Sequence, residues 1–197
     1  MIIYNRQEIV EFQKNDGPYA GLSNMMSGYT LRVNDVNILT SEALYQACKL
    51  PNHPEYQQDI IETKSPMAAK MKSRKYGRYV RPDWKDVQVQ VMGWCLRVKL
   101  AQNWNSFSND LLDTASKPIV ELSNRDDFWA AKPIGESTLQ GQNVLGNLLM
   151  KLRDRLEDDD SSLKTVTPLG ICDFMLYGSS ITLVKPFPKE EQARLEI

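Results

Sequence analysis

The chain has 197 residues, of which 42% are hydrophobic and 25% charged, so its length and composition predict one globular domain with an adequate core. A net charge of −1 excludes the overall basic field by which many nucleic-acid-binding proteins attract their targets. No apolar run approaches the roughly 18 residues of a membrane span, and the N-terminal residues lack a signal-peptide pattern. We therefore expect a cytoplasmic protein.

Cysteine and histidine usage argues against a metal centre and against a disulfide framework. Cys48, Cys95 and Cys172 are an odd number and far apart, and each falls in an apolar run, which favours buried thiols in a reducing compartment. One histidine, His53, and no CxxC pair leave no common zinc ligand set. We predict no metal and no cofactor, and we expect His53 to be an exposed loop residue rather than a catalytic base.

Strand and turn signals come first along the chain. Residues 8–12 predict a short strand, and residues 29–39 predict two strands that turn at Asn34-Asp35. The polar loop between them, residues 16–24, is rich in turn formers. Loops of this kind often carry binding groups.

Helix signals dominate after residue 40. Thr40 or Ser41 can cap a first helix that runs to residue 50, and Ser65-Pro66 begins a second. Asp83 can stabilise the first turn of a long helix over residues 84–102. The remaining predicted elements are a helix over 109–114, a strand over 119–122, a helix over 144–156, an acidic linker over 157–162, a hairpin over 170–184 that turns near Gly178, and a charged tail over 186–197.

The segment from Lys70 to Arg81 is strongly basic. It holds six basic side chains interleaved with Tyr76 and Tyr79, and no acidic residue intervenes. Such a segment can dock phosphates, and a solvated basic face is an equally good interpretation because charge runs alone are weak evidence.

The first helix carries the most informative pattern. Because a helix advances about 100° per residue, Glu42, Gln46 and Lys49 share one face and apolar residues occupy the other. A carboxylate, an amide and an amine that project together form a usable catalytic array. The alternative is an ordinary exposed polar face.

Two downstream loops carry groups suited to a sugar or a phosphate. After the strand at 119–122, Trp129 offers a flat stacking surface, while Glu121 and Asp127 can accept hydrogen bonds or stabilise positive charge. A capping turn with buried aromatic residues is the alternative. Residues 141–146 open a helix with two glycines, which is consistent with close backbone approach or with phosphate capture.

Taken in order, these motifs resemble the YbiA/NADAR family over roughly residues 8–157. The family's early Ser-Asn looks like Ser23-Asn24, its Ser-Glu-x-x-x-Gln-x-x-Lys helix looks like residues 41–49, and its Ser-Pro-x-x-Ala helix start looks like residues 65–69. Its Arg-x-x-Trp is similar to residues 81–84, its Val-Met to 91–92, and its lysine in the long helix to Lys99. Further along, its Val-Glu is similar to residues 120–121, and its Asp-x-x-Trp to residue 126 or 127 with 129. Its Asn-x-Leu-Gly-x-Leu-Leu-Met is similar to residues 143–150. Two departures are Ala43, where a histidine is frequent, and Ala130, where glycine is usual.

The resemblance implies an α+β fold, a mostly helical YbiA-like single domain with small β elements at the N-terminus and a C-terminal hairpin. Residues 1–157 would be the catalytic domain, and residues 158–197 an accessory linker, hairpin and tail. It also implies an N-glycosidase, and two substrate types are known in the family. One is guanine in nucleic acid that carries ADP-ribose, which bacterial members remove as antitoxins to DNA ADP-ribosyltransferases. The other is a ribosylamine intermediate of riboflavin biosynthesis.

We favour ADP-ribosylated guanine, because the basic segment and the additional C-terminal residues suit a larger substrate rich in phosphate. The expected partners are ADP-ribosylated nucleic acid or an ADP-ribosyl nucleotide, and a cognate DNA ADP-ribosyltransferase toxin. No membrane partner is expected, and the protein is expected to be a monomer. Two other classes stay open: a non-catalytic module that binds ADP-ribose or NAD, and a protein-interaction module that uses the acidic linker and tail.

The resemblance and the chemistry of the bond assign roles to individual residues. Glu42 would stabilise positive charge on the sugar or activate water, and Lys49 would act as a Schiff-base nucleophile. Asp83 and Asp127 complete the catalytic set by orienting the ribose or the leaving base. The predicted substrate-binding residues are Ser23, Asn24, Gln46, Arg81, Trp84, Glu121, Trp129, Asn143 and Gly146.

Overall fold

A computed structural model describes residues 1–14, 16–158 and 161–188. The chain forms two compact units, each made of two segments. The first, which we call the sheet unit, comprises Met1–Met26 and Asn105–Asp160, and the second, the helical unit, comprises Ser27–Trp104 and Ser161–Ile197. Across the described residues the structure has six α-helices and several small sheets, so the predicted α+β class is confirmed.

The strands of the sheet unit form two small sheets. In the larger one, β1 (Ile2–Asn5) and β6 (Ala131–Pro133) both pair antiparallel with the central β7 (Thr138–Gly141). In the smaller one, β2 (Val10–Phe12) pairs in parallel with β5 (Ile119–Glu121). The predicted strands over 8–12 and 119–122 are thereby confirmed. The three strands of the larger sheet were missed, because they are short and β1 leaves most of its side chains exposed.

Two helices belong wholly or mainly to this unit. The helix predicted over 144–156 is found as α6 (Val144–Glu157). Of the four leucines that its spacing predicts to face inward, Leu145, Leu149 and Leu152 are buried, whereas Leu148 is only half-buried. The helix predicted over 109–114 instead occupies α5 (Trp104–Leu112). The helix begins earlier because Phe107 and Leu111, one turn apart, form its buried apolar face. The polar residues Asn105 and Ser106 hid this face in the sequence pattern.

The helical unit is built around a short central helix. α1 (Ser41–Ala47) contacts α2 (Pro54–Ile61), α3 (Pro66–Lys75) and α4 (Trp84–Gln102), and each of its seven residues is buried. The predicted bounds of the long helix α4 are confirmed. α2 was missed, because the stretch around Pro51 and Pro54 was interpreted as a turn-rich loop, although Pro54 occupies the first helical turn.

Capping side chains set the starts of two of these helices as predicted. The Thr40 hydroxyl accepts a hydrogen bond from the Ala43 amide at 3.2 Å, and the Ser65 hydroxyl accepts one from the Ala68 amide at 3.2 Å. Asp83 occupies the N-cap position of α4 but makes no side-chain capping bond. The predicted position at the start of the helix is confirmed, and the carboxylate binds the Arg81 guanidinium and does not cap the first turn.

Two hairpins in this unit confirm their predicted turns. β3 (Leu31–Val33) and β4 (Val36–Ile38) are joined by Asn34 and Asp35, with φ of 48° and 61°, the left-handed pair that two-residue hairpins require. The Asn34 side chain also binds the C-terminal part of the chain. Its amide donates to the carbonyl of Ser180 at 3.1 Å, and its oxygen accepts from the Thr182 amide at 3.2 Å.

The second hairpin consists of β8 (Met175–Leu176) and β9 (Ser179–Ser180), and it turns at Gly178 as predicted. The segment around it packs on the rest of the helical unit through seven buried apolar side chains, namely Leu163, Val166, Phe174, Leu176, Ile181, Val184 and Phe187. The predicted division of the chain at residue 158 stays a prediction. Two residues of the predicted linker, 159 and 160, and residues 189–197 of the predicted tail lie outside the described residues.

The cysteines are all free thiols. Cys48 and Cys95 are buried as expected, whereas Cys172 is exposed. The expectation failed for Cys172 because that residue contacts the unit through its backbone carbonyl rather than its side chain. No helix in the described part of the chain is long and apolar enough to cross a membrane.

Candidate active site

The polar face of α1 is buried, so the interpretation of this helix as an ordinary exposed face is wrong. Glu42 and Gln46 are each only 3% exposed, and the Gln46 amide donates a hydrogen bond to the Glu42 carboxylate at 2.8 Å. A carboxylate removed from water needs such a partner, because desolvation is costly for a charged group. Gln46 therefore fixes the direction in which Glu42 points.

Lys49 lies just beyond the end of α1, which ends at Ala47 and not at the predicted residue 50, and its amine lies against two aromatic rings. Its Nζ atom is 5.4 Å from the ring centroid of Tyr45 and 5.4 Å from that of Trp84, and these rings are 5.0 Å apart. Such contacts hold the amine in place by cation–π attraction when it is charged. The sequence pattern had assigned Tyr45 to the core, although its position one turn before Lys49 would have allowed this contact to be predicted.

Burial lowers the pKa of Lys49 from 10.5 to about 8. Glu42 opposes this effect, and the positive charges of Lys70 and Arg74 add to the lowering. With a pKa of about 8, roughly one-tenth of the amine is neutral at pH 7, against less than about one-thousandth at the ordinary value. A neutral, well-positioned amine can add to an electrophilic carbon, so Lys49 is chemically suited to act as a nucleophile.

Arg81 supports the backbone of Lys49. Its amide donates to the Lys49 carbonyl at 2.8 Å, while its guanidinium binds the Asp83 carboxylate at 2.6 and 2.9 Å and the Cys172 carbonyl at 2.6 Å. Arg81 lowers the pKa of Asp83, which favours the carboxylate and makes Asp83 a poor proton donor. The Nη1 atom of Arg81 is buried and has no hydrogen-bond partner among the described residues.

The basic segment is partly neutralised by α2. Asp59 of that helix forms an ion pair with Lys72 and accepts a hydrogen bond from the Tyr76 hydroxyl at 2.5 Å. The sequence pattern could not show this, because Asp59 precedes the segment and meets it only through helix packing. Lys70 and Arg74, one turn apart on α3, are the basic residues whose charges act on Lys49.

In the sheet unit, Ser23 and Asn24 follow a 3-10 turn at Ala20–Leu22 and are buried, with 1% and 7% exposure. The Ser23 hydroxyl accepts a hydrogen bond from the Met25 amide at 3.1 Å. Their loop is therefore ordered by local backbone contacts rather than being the open polar loop that its composition indicates.

Asn143 and Gly146 connect β5 to the start of α6. The Asn143 side chain accepts a hydrogen bond from the Glu121 amide at 3.1 Å and donates one to the Ile119 carbonyl at 2.8 Å. A Cβ atom on Gly146 would lie 2.1 Å from the same Ile119 carbonyl. Of the two interpretations of this glycine, close backbone approach is the one that the packing explains.

The loop that carries Trp129 is closed by an acidic side chain. Asp126 accepts hydrogen bonds from the amides of Phe128 and Trp129 at 3.0 and 2.8 Å, as in the capping-turn interpretation. Asp127 forms an ion pair with Lys132 at 2.6 Å, and this contact lowers the pKa of the Asp127 carboxyl. Trp129 itself is half-buried.

The predicted site residues thus fall into two groups. The structure brings together six of them in the helical unit: Glu42, Gln46, Lys49, Arg81, Asp83 and Trp84. Seven belong to the sheet unit: Ser23, Asn24, Glu121, Asp127, Trp129, Asn143 and Gly146. His53 was predicted to be an exposed loop residue and is instead the half-buried N-cap of α2, packed against tyrosine rings. Within residues 1–14, 16–158 and 161–188, no cluster of His, Cys, Asp and Glu side chains could hold a metal ion.

Comparison with known proteins places this chain in a family. A model described as NADAR domain matches residues 11–157. The chain is 32% identical over 148 residues to proteins named N-glycosidase YbiA from Escherichia coli (strain K12) and Shigella boydii serotype 4, covering 75% of this chain and 88% of each relative. The chain belongs to the NADAR family, which includes the N-glycosidase YbiA.

The fold agrees with this assignment. The NMR structure of the E. coli protein YbiA matches with a TM-score of 0.66 and 30% identity, covering 80% of this chain and 89% of that one. A Vibrio vulnificus protein named as a riboflavin biosynthesis protein is 33% identical over 119 residues, which are 60% of this chain and 31% of that protein. The YbiA-like fold predicted from the sequence is confirmed.

Proposed function

We propose that this chain is an N-glycosidase that removes ADP-ribose from guanine bases of nucleic acid and so restores guanine. The observation that carries the proposal is the Lys49 amine, with its pKa lowered to about 8, beside the rings of Tyr45 and Trp84. Membership of the NADAR family and the name of the YbiA relatives support the N-glycosidase class. The guanine substrate is our own extension.

The reaction breaks the bond between the anomeric carbon of ribose and the exocyclic nitrogen of guanine. The ribose ring opens to an imine, the neutral Lys49 amine adds to its carbon, and guanine leaves after its nitrogen takes a proton. Lys49 then holds the sugar as a Schiff base. One water molecule hydrolyses this adduct, which releases ADP-ribose and returns the amine. The net reaction consumes one water molecule for each glycosidic bond that is broken.

Glu42 is suited to the proton transfers and to the positive charge that these steps create. Its carboxylate is buried, which strengthens its electrostatic effect on a nearby cation, and the Gln46 amide holds it in one orientation. Asp83 is suited to a different role, because its bond to Arg81 keeps it a carboxylate and ties it to the residue that supports Lys49.

The two phosphates of ADP-ribose need cationic donors. Lys70 and Arg74 lie near enough to Lys49 for their charges to affect it, and the buried Nη1 atom of Arg81 offers a further donor. Guanidinium groups favour phosphate because their donors match its oxygen atoms. The donors expected for the diphosphate are therefore close in space to the proposed nucleophile, although they lie in later elements of the chain.

A second candidate substrate is a ribosylamine intermediate of riboflavin biosynthesis. Relatives from Vibrio vulnificus and Arabidopsis thaliana carry riboflavin biosynthesis names, although the chain spans 31% and 13% of their lengths. Such an intermediate also joins an amine nitrogen to a sugar carbon, so the same lysine chemistry applies. We favour guanine because Lys70 and Arg74 suit a diphosphate. A DNA ADP-ribosyltransferase in the same cytoplasm would supply that substrate.

The test compares both substrates directly. Wild-type protein should release ADP-ribose from an oligonucleotide that carries one ADP-ribosylated guanine, and borohydride should trap a covalent adduct whose mass locates it at Lys49. Lys49→Arg should abolish release and trapping, whereas Lys151→Arg, at an exposed position of α6, should change neither. Release without trapping would overturn the Schiff base, and cleavage of only the ribosylamine would overturn the guanine substrate.

A further inference from the structure

Four aromatic rings form a cluster at the surface of the helical unit. His53, Tyr56 and Tyr76 stack almost in parallel, with centroids 5.1 and 4.2 Å apart and interplanar angles of 20° and 7°. Tyr79 is tilted against His53 at 4.8 Å and against Tyr56 at 4.9 Å. All four residues are half-buried, so the rings keep part of their surface exposed to solvent. We refer to them as the four-ring cluster.

One cation contacts this cluster directly, and further basic residues lie near it in the sequence. The Arg78 guanidinium lies 4.6 Å from the Tyr79 centroid, and Arg78, Lys75 and Arg74 are exposed. In the part of the chain that the structure describes, neither these three nor Lys70 has a carboxylate within ion-pair distance. Two carboxylates lie at the cluster itself: Asp59 binds Lys72 and the Tyr76 hydroxyl, and Glu55 contacts His53.

The cluster is close to Lys49. His53 follows Lys49 by four residues, which limits their Cα separation to about 14 Å, and the His53 amide donates to the Leu50 carbonyl at 3.1 Å. On the other side, Tyr79 precedes Arg81 by two residues, and Arg81 binds the Lys49 carbonyl. A polymer whose reacting group reached Lys49 would have its neighbouring units within reach of the four-ring cluster.

Packing between α2 and α3 explains why some of these rings touch, but it does not require four partly exposed rings with an exposed cation, Arg78, against one of them. Aromatic faces beside cations are the surface that unpaired nucleotides bind, because every base can stack on a ring while its phosphate meets a cation. A duplex fits less well, since its bases already stack on one another. Exposed rings therefore favour a single strand.

We infer that the four-ring cluster, with Lys75 and Arg78, binds the unpaired nucleotides that flank the modified guanine. The inference rests on the proposed function for the identity of the modified base. Binding to the strand itself needs no modification, and this allows the two ideas to be tested separately.

The test measures binding of an unmodified, fluorescently labelled single strand of about ten nucleotides by anisotropy. Lys75→Glu should weaken binding at least about eightfold at about 50 mM salt, and should lower the slope of log affinity against log salt by at least about 0.7. Lys151→Glu makes the same charge change at an exposed position of α6 and should leave both quantities nearly unchanged.

Ring stacking is tested at Tyr79. Tyr79→Leu should weaken strand binding by about 5- to 150-fold, whereas Tyr79→Phe keeps the ring and should bind within about twofold of wild type. Thermal unfolding of each variant checks that the helical unit is intact. If both variants weaken binding equally, or if duplex binds as tightly as single strand, the stacking role is overturned.

The remaining outcomes separate this inference from the proposed function. Tight strand binding without release of ADP-ribose from any guanine substrate would support the four-ring cluster and overturn ADP-ribosylated guanine as the substrate. Turnover of ADP-ribosylated guanosine with no wild-type strand binding, or with Lys75→Glu binding as tightly as wild type, would overturn the cluster and leave the proposed function standing.

Discussion

The amide of Arg81 donates a hydrogen bond to the carbonyl of Lys49 at 2.8 Å, and the guanidinium of the same arginine binds the carbonyl of Cys172. One residue thus connects the proposed nucleophile to the C-terminal segment of the helical unit. The position of the Lys49 amine therefore depends on residues more than a hundred positions later in the chain.

The lowered pKa of Lys49 predicts a specific pH dependence of turnover. Because the neutral amine is the reactive form, kcat/KM should fall about tenfold per pH unit below about 8 and level off above it. The measurement is release of ADP-ribose from modified guanine between pH 5.5 and about 9.5. Lys151→Arg serves as the control and should share the wild-type profile. A rate independent of pH across this range would exclude Lys49 as the nucleophile.

The same shift predicts that Lys49 costs stability at neutral pH. A lysine whose pKa falls from 10.5 to about 8 on folding destabilises the folded state below about pH 8, and the cost disappears as the pH rises towards 10.5. Lys49→Met should raise the free energy of unfolding at pH 7 by up to about 3 kcal/mol, with a smaller gain at about pH 9.5. Urea denaturation at both pH values measures the free energy of unfolding. An equal gain in stability at the two pH values would contradict the lowered pKa of Lys49.

Glu42→Gln should separate chemistry from folding. The amide has nearly the same shape as the carboxylate, so the fold should survive, while loss of the charge should lower kcat by about 10²- to 10⁴-fold. The control is Glu136→Gln, which makes the same change at an exposed position of the sheet unit. A wild-type kcat for Glu42→Gln would show that Glu42 has no role in the reaction.

The C-terminal segment should be required for a stable fold. Phe174 packs edge-on against Trp94 with centroids 4.9 Å apart, so Phe174→Ala should lower the free energy of unfolding by about 3–5 kcal/mol. Truncation after Leu156 should be worse, because it removes this ring and the bond to Arg81 together. For Phe174→Ala and for the truncated chain, thermal unfolding measures stability, and release of ADP-ribose measures activity. A truncated chain that stays folded and active would show that residues 158–197 are accessory.

Gly146→Ala should destabilise the sheet unit. Its new Cβ atom would lie 2.1 Å from the Ile119 carbonyl, a backbone atom that cannot rotate away, so we expect a loss of about 1–3 kcal/mol. Gly170→Ala places the same methyl group where nothing lies within 4 Å and should change stability by less than about 0.5 kcal/mol. Equal melting temperatures for the two variants would show that the close approach of Gly146 to the Ile119 carbonyl does not contribute to stability.

Local signals made much of the fold and part of the candidate site predictable. The cap at Thr40 and the shared face of Glu42 and Gln46 follow from helix geometry, and the turn at Asn34 follows from its tolerance of left-handed backbone. Pairings between distant segments were not predictable in the same way. The neutralisation of Lys72 by Asp59 depends on how helices pack, which single-sequence patterns do not record.

The side chain of Asn34 explains why one turn residue is not interchangeable with another here. Turn statistics would treat glycine as an equal substitute, because both residues accept a positive φ. Only asparagine also carries an amide that donates to the carbonyl of Ser180 and accepts from the amide of Thr182. A Gly-Gly turn would keep the hairpin but lose both hydrogen bonds to the C-terminal segment, so any redesign of this turn should keep Asn34.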